Sequence, residues 1–300
     1  MVALGAGVHA APSPDLSPAR APREAGARAV EQSTAATIPA ANPPLPEPAL
    51  VLYEYPFNEG IRTMLRLEHL FDRLGQLVAR DAPVDHHFAL ATIFEVMDVA
   101  SRADLKSDLL KELERHRTQL QTYRGHPGIS ENALDAVTAR IDHAFNGLNQ
   151  LQGKAGQVLS GNDWLMSIRS RINIPGGTCE FDLPAYYAWQ QHAPAKRRED
   201  LQGWMATLTP LAEALQVLLG LLRENGTPQR MVAIGGQYQQ SLAPGKTYQL
   251  MRVRIAPDTG LVPEISGHRL MVLIRFMRPD AEGRLRSAAV DTAFELALCA

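Results

Sequence analysis

The sequence predicts an α+β protein in which a helical region is followed by a small antiparallel sheet. Two different spacings of the apolar residues along the chain support this prediction. Between residues 57 and 226, apolar residues recur every three or four positions, as on one face of an amphipathic helix. From residue 228 onward they alternate with polar residues, as in strands with one covered face. We therefore expect a helical domain over 57–226 and a β domain formed by 50–56 together with 228–300.

Residues 1–48 are expected to form a disordered extension rich in alanine and proline. This segment holds nine of the 21 prolines and no aromatic residue. Such a composition buries too little apolar area to offset the entropy of ordering the chain. It also lacks the basic start and the apolar run of a secretory signal.

The run Leu50–Tyr55 has the β-branched and aromatic residues of a short strand, which Pro56 ends. Asn58 then suits the N-cap of the first helix. The later helices are expected to start at polar or proline-containing signals: Asp85, Ser130, Asn162, Asp182 with Pro184, and Thr209 with Pro210. The helix after Thr209 is apolar nearly all round, which predicts a central position in the helical core.

Two stretches after residue 250 alternate apolar and basic residues. Met251, Val253 and Ile255 alternate with Arg252 and Arg254. The second stretch alternates Leu270, Val272, Ile274 and Phe276 with Arg269, Met271, Leu273 and Arg275. Residues 293–299 are expected to form a last strand that pairs with the strand at 50–55.

The overall charge of −2 indicates that the molecule as a whole is not a polybasic nucleic-acid binder. The sequence has two cysteines, and a disulfide framework needs more, which favours a reducing compartment. No apolar run reaches the roughly 18–20 residues of a membrane span. The average charge hides a basic region, because residues 228–290 hold nine Lys or Arg and four Asp or Glu. That region could attract an acidic partner.

The enzyme and metal-site hypotheses have little support. His86 and His87 with Glu95 lack a third metal ligand, and surface histidines near a helix start are the simpler interpretation. Cys179 has no activating histidine nearby in the sequence. The chain has neither a phosphate-binding loop nor a Gly-x-Ser-x-Gly elbow. We expect no catalytic residue, no metal and no cofactor.

The arginines of the alternating strands suggest a binding surface instead. If these strands are neighbours, Arg252, Arg254, Arg269 and Arg275 could form a basic patch on the face away from the core. A merely solvated face is an equally good interpretation of such charges. Apolar Met271 and Leu273 on the same face favour a groove for an acidic peptide. A nucleic-acid-binding module is the alternative, although the interleaved aromatic residues of single-strand binders are missing.

Several motifs, in order over about 51–299, resemble the ZapD family of bacterial cell division proteins. They are Tyr53-Glu54-Tyr55-Pro56-Phe57-Asn58-Glu59, Ile61-Arg62-Thr63, Leu65-Arg66-Leu67-Glu68, Leu109-Leu110-Lys111-Glu112-Leu113, Ile174-Pro175-Gly176-Gly177 with Cys179, Phe181-Asp182-Leu183-Pro184 with Trp189, Ile265-Ser266-Gly267-His268, Ile274-Arg275-Phe276 and Phe294-Glu295-Leu296. The resemblance implies a cytoplasmic, non-enzymatic homodimer at the midcell division ring. Such a dimer binds the C-terminal tail of FtsZ, a tubulin-like protein, and bundles FtsZ filaments.

The resemblance also implies which residues contact the FtsZ tail. The positions that match are Arg102, Arg252, Arg269 and Arg275, with His268 beside them. Met271 occupies a position that is basic in a relative, and Arg254 or Arg269 could compensate. A second basic surface is suggested by Arg62 and Arg66 of the first helix. The hypothesis requires a dimer, and it requires that internal ion pairs leave the tail-binding arginines available.

Overall fold

The computed structural model describes residues 50–101 and 104–300. The predicted disordered extension over 1–48 lies outside the described residues, as does Arg102. The helices are α1 (Glu59–Val78), α2 (Pro83–Ala100), α3 (Leu105–Gln121), α4 (Glu131–Gln150), α5 (Asp163–Arg171), α6 (Pro184–Gln190), α7 (Pro194–Ala206) and α8 (Thr209–Glu224). The strands are β1 (Val51–Pro56), β2 (Gln229–Ala233), β3 (Gln237–Ser241), β4 (Leu250–Ile255), β5 (Val262–His268), β6 (Met271–Pro279), β7 (Leu285–Ser287) and β8 (Thr292–Cys299). The α+β class is confirmed.

Three of the predicted helix caps are confirmed. The side chains of Asn58, Ser130 and Asn162 each accept a hydrogen bond from a backbone N–H of the first turn of α1, α4 and α5. The predicted caps Asp85 and Asp182 are wrong, because α2 and α6 begin at prolines. A proline at the first helical position already has a helical φ and has no N–H to satisfy. Helix α7 was not predicted at all.

One hydrophobic core joins the helices. Helix α8 packs against α1, α3 and α4, and seven of its residues are buried. The core also includes Leu250 of β4 and Cys299 of β8, so the helices rest on one face of a sheet. No single helix within the described ranges is long and apolar enough to cross a membrane, whereas α7 and α8 meet that criterion only together, as a pair bent by 65°.

The strands form two antiparallel sheets. The first sheet has the order β1-β4-β8-β2, and the second has the order β3-β6-β5, with β7 also pairing with β6. The expected pairing of the last strand with the first is wrong, because β4 lies between β1 and β8. Strands β4 and β6 are not neighbours either, since they belong to different sheets. Alternation had indicated the faces of these strands but not their partners.

A second hydrophobic core fills the space between the two sheets. It combines Met251, Val253 and Ile255 of the first sheet with Val272 and Phe276 of the second. The order of layers is therefore helices, first sheet and second sheet. The division into a helical domain over 57–226 and a β domain over 50–56 and 228–300 stays a prediction, because the first sheet contributes to both cores.

The hairpin between β5 and β6 has a two-residue turn. His268 pairs with Met271, which leaves Arg269 and Leu270 at the tip. Leu270 was expected to face the core, but its exposed fraction is 57%. The turn removes both residues from the alternation of β6, so Arg269 lies at the end of the sheet and not on its face.

Candidate functional site

The second sheet has a face that points away from the core, which we call the outer face. Its side chains belong to Gln237, Gln239 and Ser241 of β3, Met271, Leu273, Arg275 and Met277 of β6, and Val262, Glu264, Ser266 and His268 of β5. Most of the polar side chains are exposed, and the apolar ones are only partly buried. The predicted placement of Met271, Leu273 and Arg275 on one face away from the core is thus confirmed. The outer face is amphipathic and open.

Cations stand on either side of Met271 and Leu273, which we call the apolar track of the outer face. Arg269 lies in the turn two residues before Met271, and Arg275 lies four residues beyond Met271 on the same strand. At a rise of about 3.4 Å per residue, Met271 and Arg275 are roughly 14 Å apart along β6. Leu273 lies between them. A short extended peptide could therefore contact apolar side chains in its middle and a cation at each end.

Arg275 on the outer face and Arg269 in the adjoining turn are held only loosely. Arg275 Nη2 lies 2.8 Å from Glu264 Oε2, and both side chains are 49% exposed. Exposed pairs of this kind contribute about 0–1 kcal/mol, so an external carboxylate could replace Glu264. Arg269 is exposed and has no ion pair with any described residue. The ring of His268 accepts a hydrogen bond from the Leu270 N–H at 3.3 Å.

Arg252 and Arg254 lie elsewhere, on the face of the first sheet that is turned toward the helices. The side chain of Arg252 is only 16% exposed, and its Nε lies 2.9 Å from Glu54 Oε1 without making a hydrogen bond. Arg254 Nη1 lies 3.6 Å from Glu295 Oε2. The expected patch that combined these residues with Arg269 and Arg275 does not form, because the two pairs of arginines occupy different sheets.

The same separation weakens the nucleic-acid alternative. That hypothesis requires one continuous basic sheet face, whereas the outer face carries Arg275 beside Glu264 and is lined mainly by glutamine, serine and methionine. The requirement that internal ion pairs leave the arginines available also separates the candidates. Arg252, Arg254 and Arg275 each meet a carboxylate within the fold, whereas Arg269 and His268 have no such ion pair among the described residues.

The second predicted basic surface lies on α1. Arg62 Nε lies 3.0 Å from Glu59 Oε1, one helical turn away, and Arg66 is exposed. An exposed pair of this spacing stabilises a helix by only about 0.2–0.5 kcal/mol. Both arginines therefore face solvent with little to hold them, and their role in binding stays a prediction.

His86 is not the surface histidine that the sequence predicted, since it is fully buried. Its Nε2 donates to the Arg80 carbonyl at 2.8 Å, and its Nδ1 accepts from Arg197 Nε at 2.9 Å. His87 hydrogen-bonds the Tyr186 hydroxyl at 2.7 Å, and Glu95 pairs with Arg73. Both histidines are thus engaged in the packing of α2, and within the described residues no three His, Cys, Asp or Glu side chains are grouped to hold a metal ion.

The buried position of His86 predicts acid sensitivity. Burial lowers the pKa of His86 below 6.5, and the neighbouring Arg197 and Arg198 lower it further, against the Arg80 carbonyl, which raises it. The unfolded chain then binds the proton more readily, so stability falls as the pH drops below about 6.5. Urea denaturation at several pH values should show this slope.

His86→Gln should flatten that slope. His87→Gln and His116→Gln serve as comparisons, because burial lowers the pKa of His87 and His116 as well. An unchanged slope in the His86 variant would remove this residue from the acid response.

The match to known families can now be added to this geometry. The family model described as "ZapD: Cell division protein" matches residues 65–275. The match runs from α1 to β6 and covers more than half of the chain. It includes β3, β5 and the part of β6 that carries Met271, Leu273 and Arg275. The chain therefore belongs to the ZapD family of cell division proteins.

Proposed function

We propose that this protein binds the C-terminal tail of FtsZ and, as a homodimer, bundles FtsZ filaments at the midcell division ring. It acts in the cytoplasm and without catalysis. Family membership supports the role in cell division. The observation that carries the tail-binding proposal is the outer face, where a partly exposed apolar track lies between Arg269 and Arg275.

Electrostatics and apolar contact have separate parts in this proposal. Arg gives planar, bidentate contacts to carboxylates, which suits an acidic peptide. Met271 and Leu273 supply adaptable apolar area. His268 and Arg269 act at the turn, and Arg275 acts at the other end of the track. Arg252 and Arg254 have no contact with the tail in this proposal, because they lie on the face of the first sheet that is turned toward the helices.

Bundling follows from having two sites in one assembly. A dimer presents two outer faces, so that two tethered tails from different filaments can be held at once. The second binding event is then intramolecular, and modest affinity at each site gives a stable cross-link. A protein that stays monomeric in analytical ultracentrifugation at bundling concentrations would contradict this step.

The first test measures tail binding directly. A fluorescent FtsZ tail peptide is titrated with the full chain, and FtsZ polymers with and without the tail are pelleted with it. We expect Arg269→Glu combined with Arg275→Glu to lower peptide affinity by about tenfold or more, because carboxylates replace two cations. The wild-type affinity should also fall as salt rises.

Arg140→Glu combined with Arg284→Glu is the matched control for charge. Arg140 of α4 and Arg284 of the turn between β6 and β7 are both exposed, and the two substitutions together make the same change in net charge away from the apolar track. The affinity of this control variant should stay within about twofold of the wild type. Equal losses in the control and the double variant would show that only net charge matters, and bundling of tailless FtsZ would contradict the tail mechanism.

Glu264→Gln gives a prediction of opposite sign. This substitution removes the carboxylate that competes for Arg275 at 2.8 Å, and it also removes a negative charge from the outer face. We expect tail affinity to rise by about two- to fivefold. A role of Arg275 in folding alone predicts no gain, so an unchanged or lower affinity would count against its role in binding.

A further inference from the structure

Strand β3 forms an edge of the second sheet, and part of its backbone points away from that sheet. Hydrogen bonds from Phe276 N–H to Gly236 O and from Leu242 N–H to Leu270 O, both 2.8 Å, fix the pairing of β3 with β6. Bonded and non-bonded residues alternate in an antiparallel pair. The backbone N–H and C=O groups of Gln239 therefore point to the free side of β3, and so do those of Ser241.

The free side of β3 is open to solvent. Gln237, Gln239 and Ser241 are exposed. The Gln237 N–H is used within the β2–β3 turn, where it donates to Ile234 O at 3.1 Å. Among residues 50–101 and 104–300, by contrast, no backbone or side-chain partner reaches the outward N–H groups of Gln239 and Ser241. These groups can pair only with water or with another extended chain.

The edges formed by β1, β2 and β5 are protected, whereas that of β3 is not. On β5, Pro263 has no N–H, and the Tyr55 hydroxyl bonds both the N–H and the C=O of Gly267 at 3.3 and 3.4 Å. Strand β1 carries Glu54 and ends in proline, and β2 carries Arg230. Strand β3 reads Gln-Tyr-Gln-Gln-Ser, with neither a proline nor a charge. Proteins usually blunt edges that are not meant to pair.

A groove of about 220 Å³ lies beside this edge, between β3 and β2. Gln240, Gln229, Lys246 and Tyr248 line it together with Asn225, Thr227, Leu296 and Leu298. Lys246 is the one charged residue among these, and its ammonium lies 5.2 Å from the centre of the Tyr248 ring. The groove is thus positive and favours an acidic occupant over a basic one.

We propose that the free edge of β3 receives an extended acidic peptide as an additional strand. Backbone hydrogen bonds to Gln239 and Ser241 would supply affinity, and Lys246 would select for negative charge. Alternate side chains of the added strand would fall on the outer face, next to the apolar track. This inference rests on the proposed function, in which the peptide is the FtsZ tail, and it specifies how that tail is held.

Gln239→Pro tests the added strand with little expected harm to the fold. The outward N–H of Gln239 is not part of the β3–β6 ladder, and proline is tolerated on an edge strand whose N–H faces solvent. Gln239→Ala is the matched control, since it removes the same side chain and keeps the N–H. In the full chain we expect the proline variant to lose at least about tenfold in tail-peptide affinity and the alanine variant to lose less than about threefold.

A second measurement keeps the test independent of folding. Tail peptides N-methylated at single positions are titrated against the wild-type chain. Because the backbone of an added strand bonds its neighbour only at alternate residues, methylation should weaken binding at every second position. Loss at no position, or an equal loss at all positions, would overturn the added strand.

The outcomes separate the two proposals. If the wild-type chain does not bind the tail peptide, both the proposed function and this use of the edge fail. If the wild-type chain binds and a folded Gln239→Pro variant binds equally well, only the added strand is overturned. If Gln239→Pro instead abolishes dimerisation and leaves peptide affinity unchanged, the edge pairs with a second copy of the chain and the proposal is wrong.

Discussion

Arg197→Ala is expected to lower the free energy of unfolding by about 3–5 kcal/mol, the largest effect among these predictions. The Arg197 side chain is 3% exposed. It donates to His86 Nδ1 at 2.9 Å, to the Gln190 carbonyl at 3.0 Å, to the Asp81 carbonyl at 2.5 Å and to the His192 carbonyl. Alanine would leave these buried acceptors without donors and open a cavity. Urea denaturation of the full chain at neutral pH measures the loss.

The neighbouring Arg198→Ala is the matched control. Arg198 Nη2 lies 2.5 Å from Asp81 Oδ1, but the Asp81 side chain is 75% exposed. The Nε of Arg198 also donates to the Val78 carbonyl at 3.1 Å. We expect a loss of about 1 kcal/mol, as for other exposed pairs. Similar losses in the two variants would show that the buried acceptors around Arg197 are satisfied by water once the guanidinium is gone.

Sequence reasoning could not have found the cluster around Arg197. Arginine is almost always exposed, and Arg197 follows a proline in the polar run Pro194–Asp200. The partners of Arg197 come from the loop after α1, the start of α2 and the end of α6, of which the first two are distant in sequence. The expectation that His86 lies at the surface rests on its place near a helix start and on the missing third metal ligand, and neither indicates burial. Only the packing of α2 against α7 shows that both residues are buried.

Local signals predicted local structure well. The caps at Asn58, Ser130 and Asn162 depend on side-chain chemistry within one turn, so short sequence patterns contain all the information they need. At Asp85 and Asp182 two local signals competed, and the nearby prolines Pro83 and Pro184 determined the start of the helix.

Strand pairing was the main failure. Alternation correctly placed Arg252 and Arg254 opposite the buried residues of β4, and Arg275 opposite those of β6. It contains no information about which strands are neighbours, because pairing depends on contacts across the whole chain. The sequence therefore predicted the amphipathic outer face through Met271 and Leu273, but it wrongly added β4 to that face. The sequence does not predict strand β3, because its polar residues lack the usual strand composition.

Arg223→Ala is the second substitution with a large expected effect, a loss of about 2–4 kcal/mol. Arg223, near the end of α8, donates to both carboxylate oxygens of Glu54 at 2.9 and 2.7 Å and to both of Glu68 at 2.6 Å. All three side chains are less than a third exposed. The hydrogen bonds that Arg223 donates to Glu68 and to Glu54 raise its pKa, so it stays charged. Removing this guanidinium would leave the negative charges of Glu54 and Glu68 close together with less positive charge to offset them.

Two further variants serve as controls for Arg223→Ala, one at an exposed ion pair and one at the same site. Arg62→Ala breaks the pair with Glu59, which has a 75% exposed side chain, and should cost less than about 0.5 kcal/mol. Adding Glu68→Gln to Arg223→Ala should recover part of the loss, because one of the uncompensated carboxylates disappears. A loss for Arg223→Ala as small as that for Arg62→Ala would mean that water replaces the guanidinium at this junction.

Arg252 connects this network to the question of binding. Its Nε lies 2.9 Å from the Glu54 carboxylate that Arg223 also holds, so Glu54 is shared by two arginines, one from the helices and one from the first sheet. After Arg223→Ala, Arg252 becomes the main cation beside Glu54. We therefore expect Arg252→Ala to destabilise the Arg223→Ala background more than the wild-type background.

In the wild-type background, Arg252→Ala should lower stability while the folded protein keeps its affinity for the FtsZ tail. A loss of tail affinity without a loss of stability would instead return Arg252 to the binding surface.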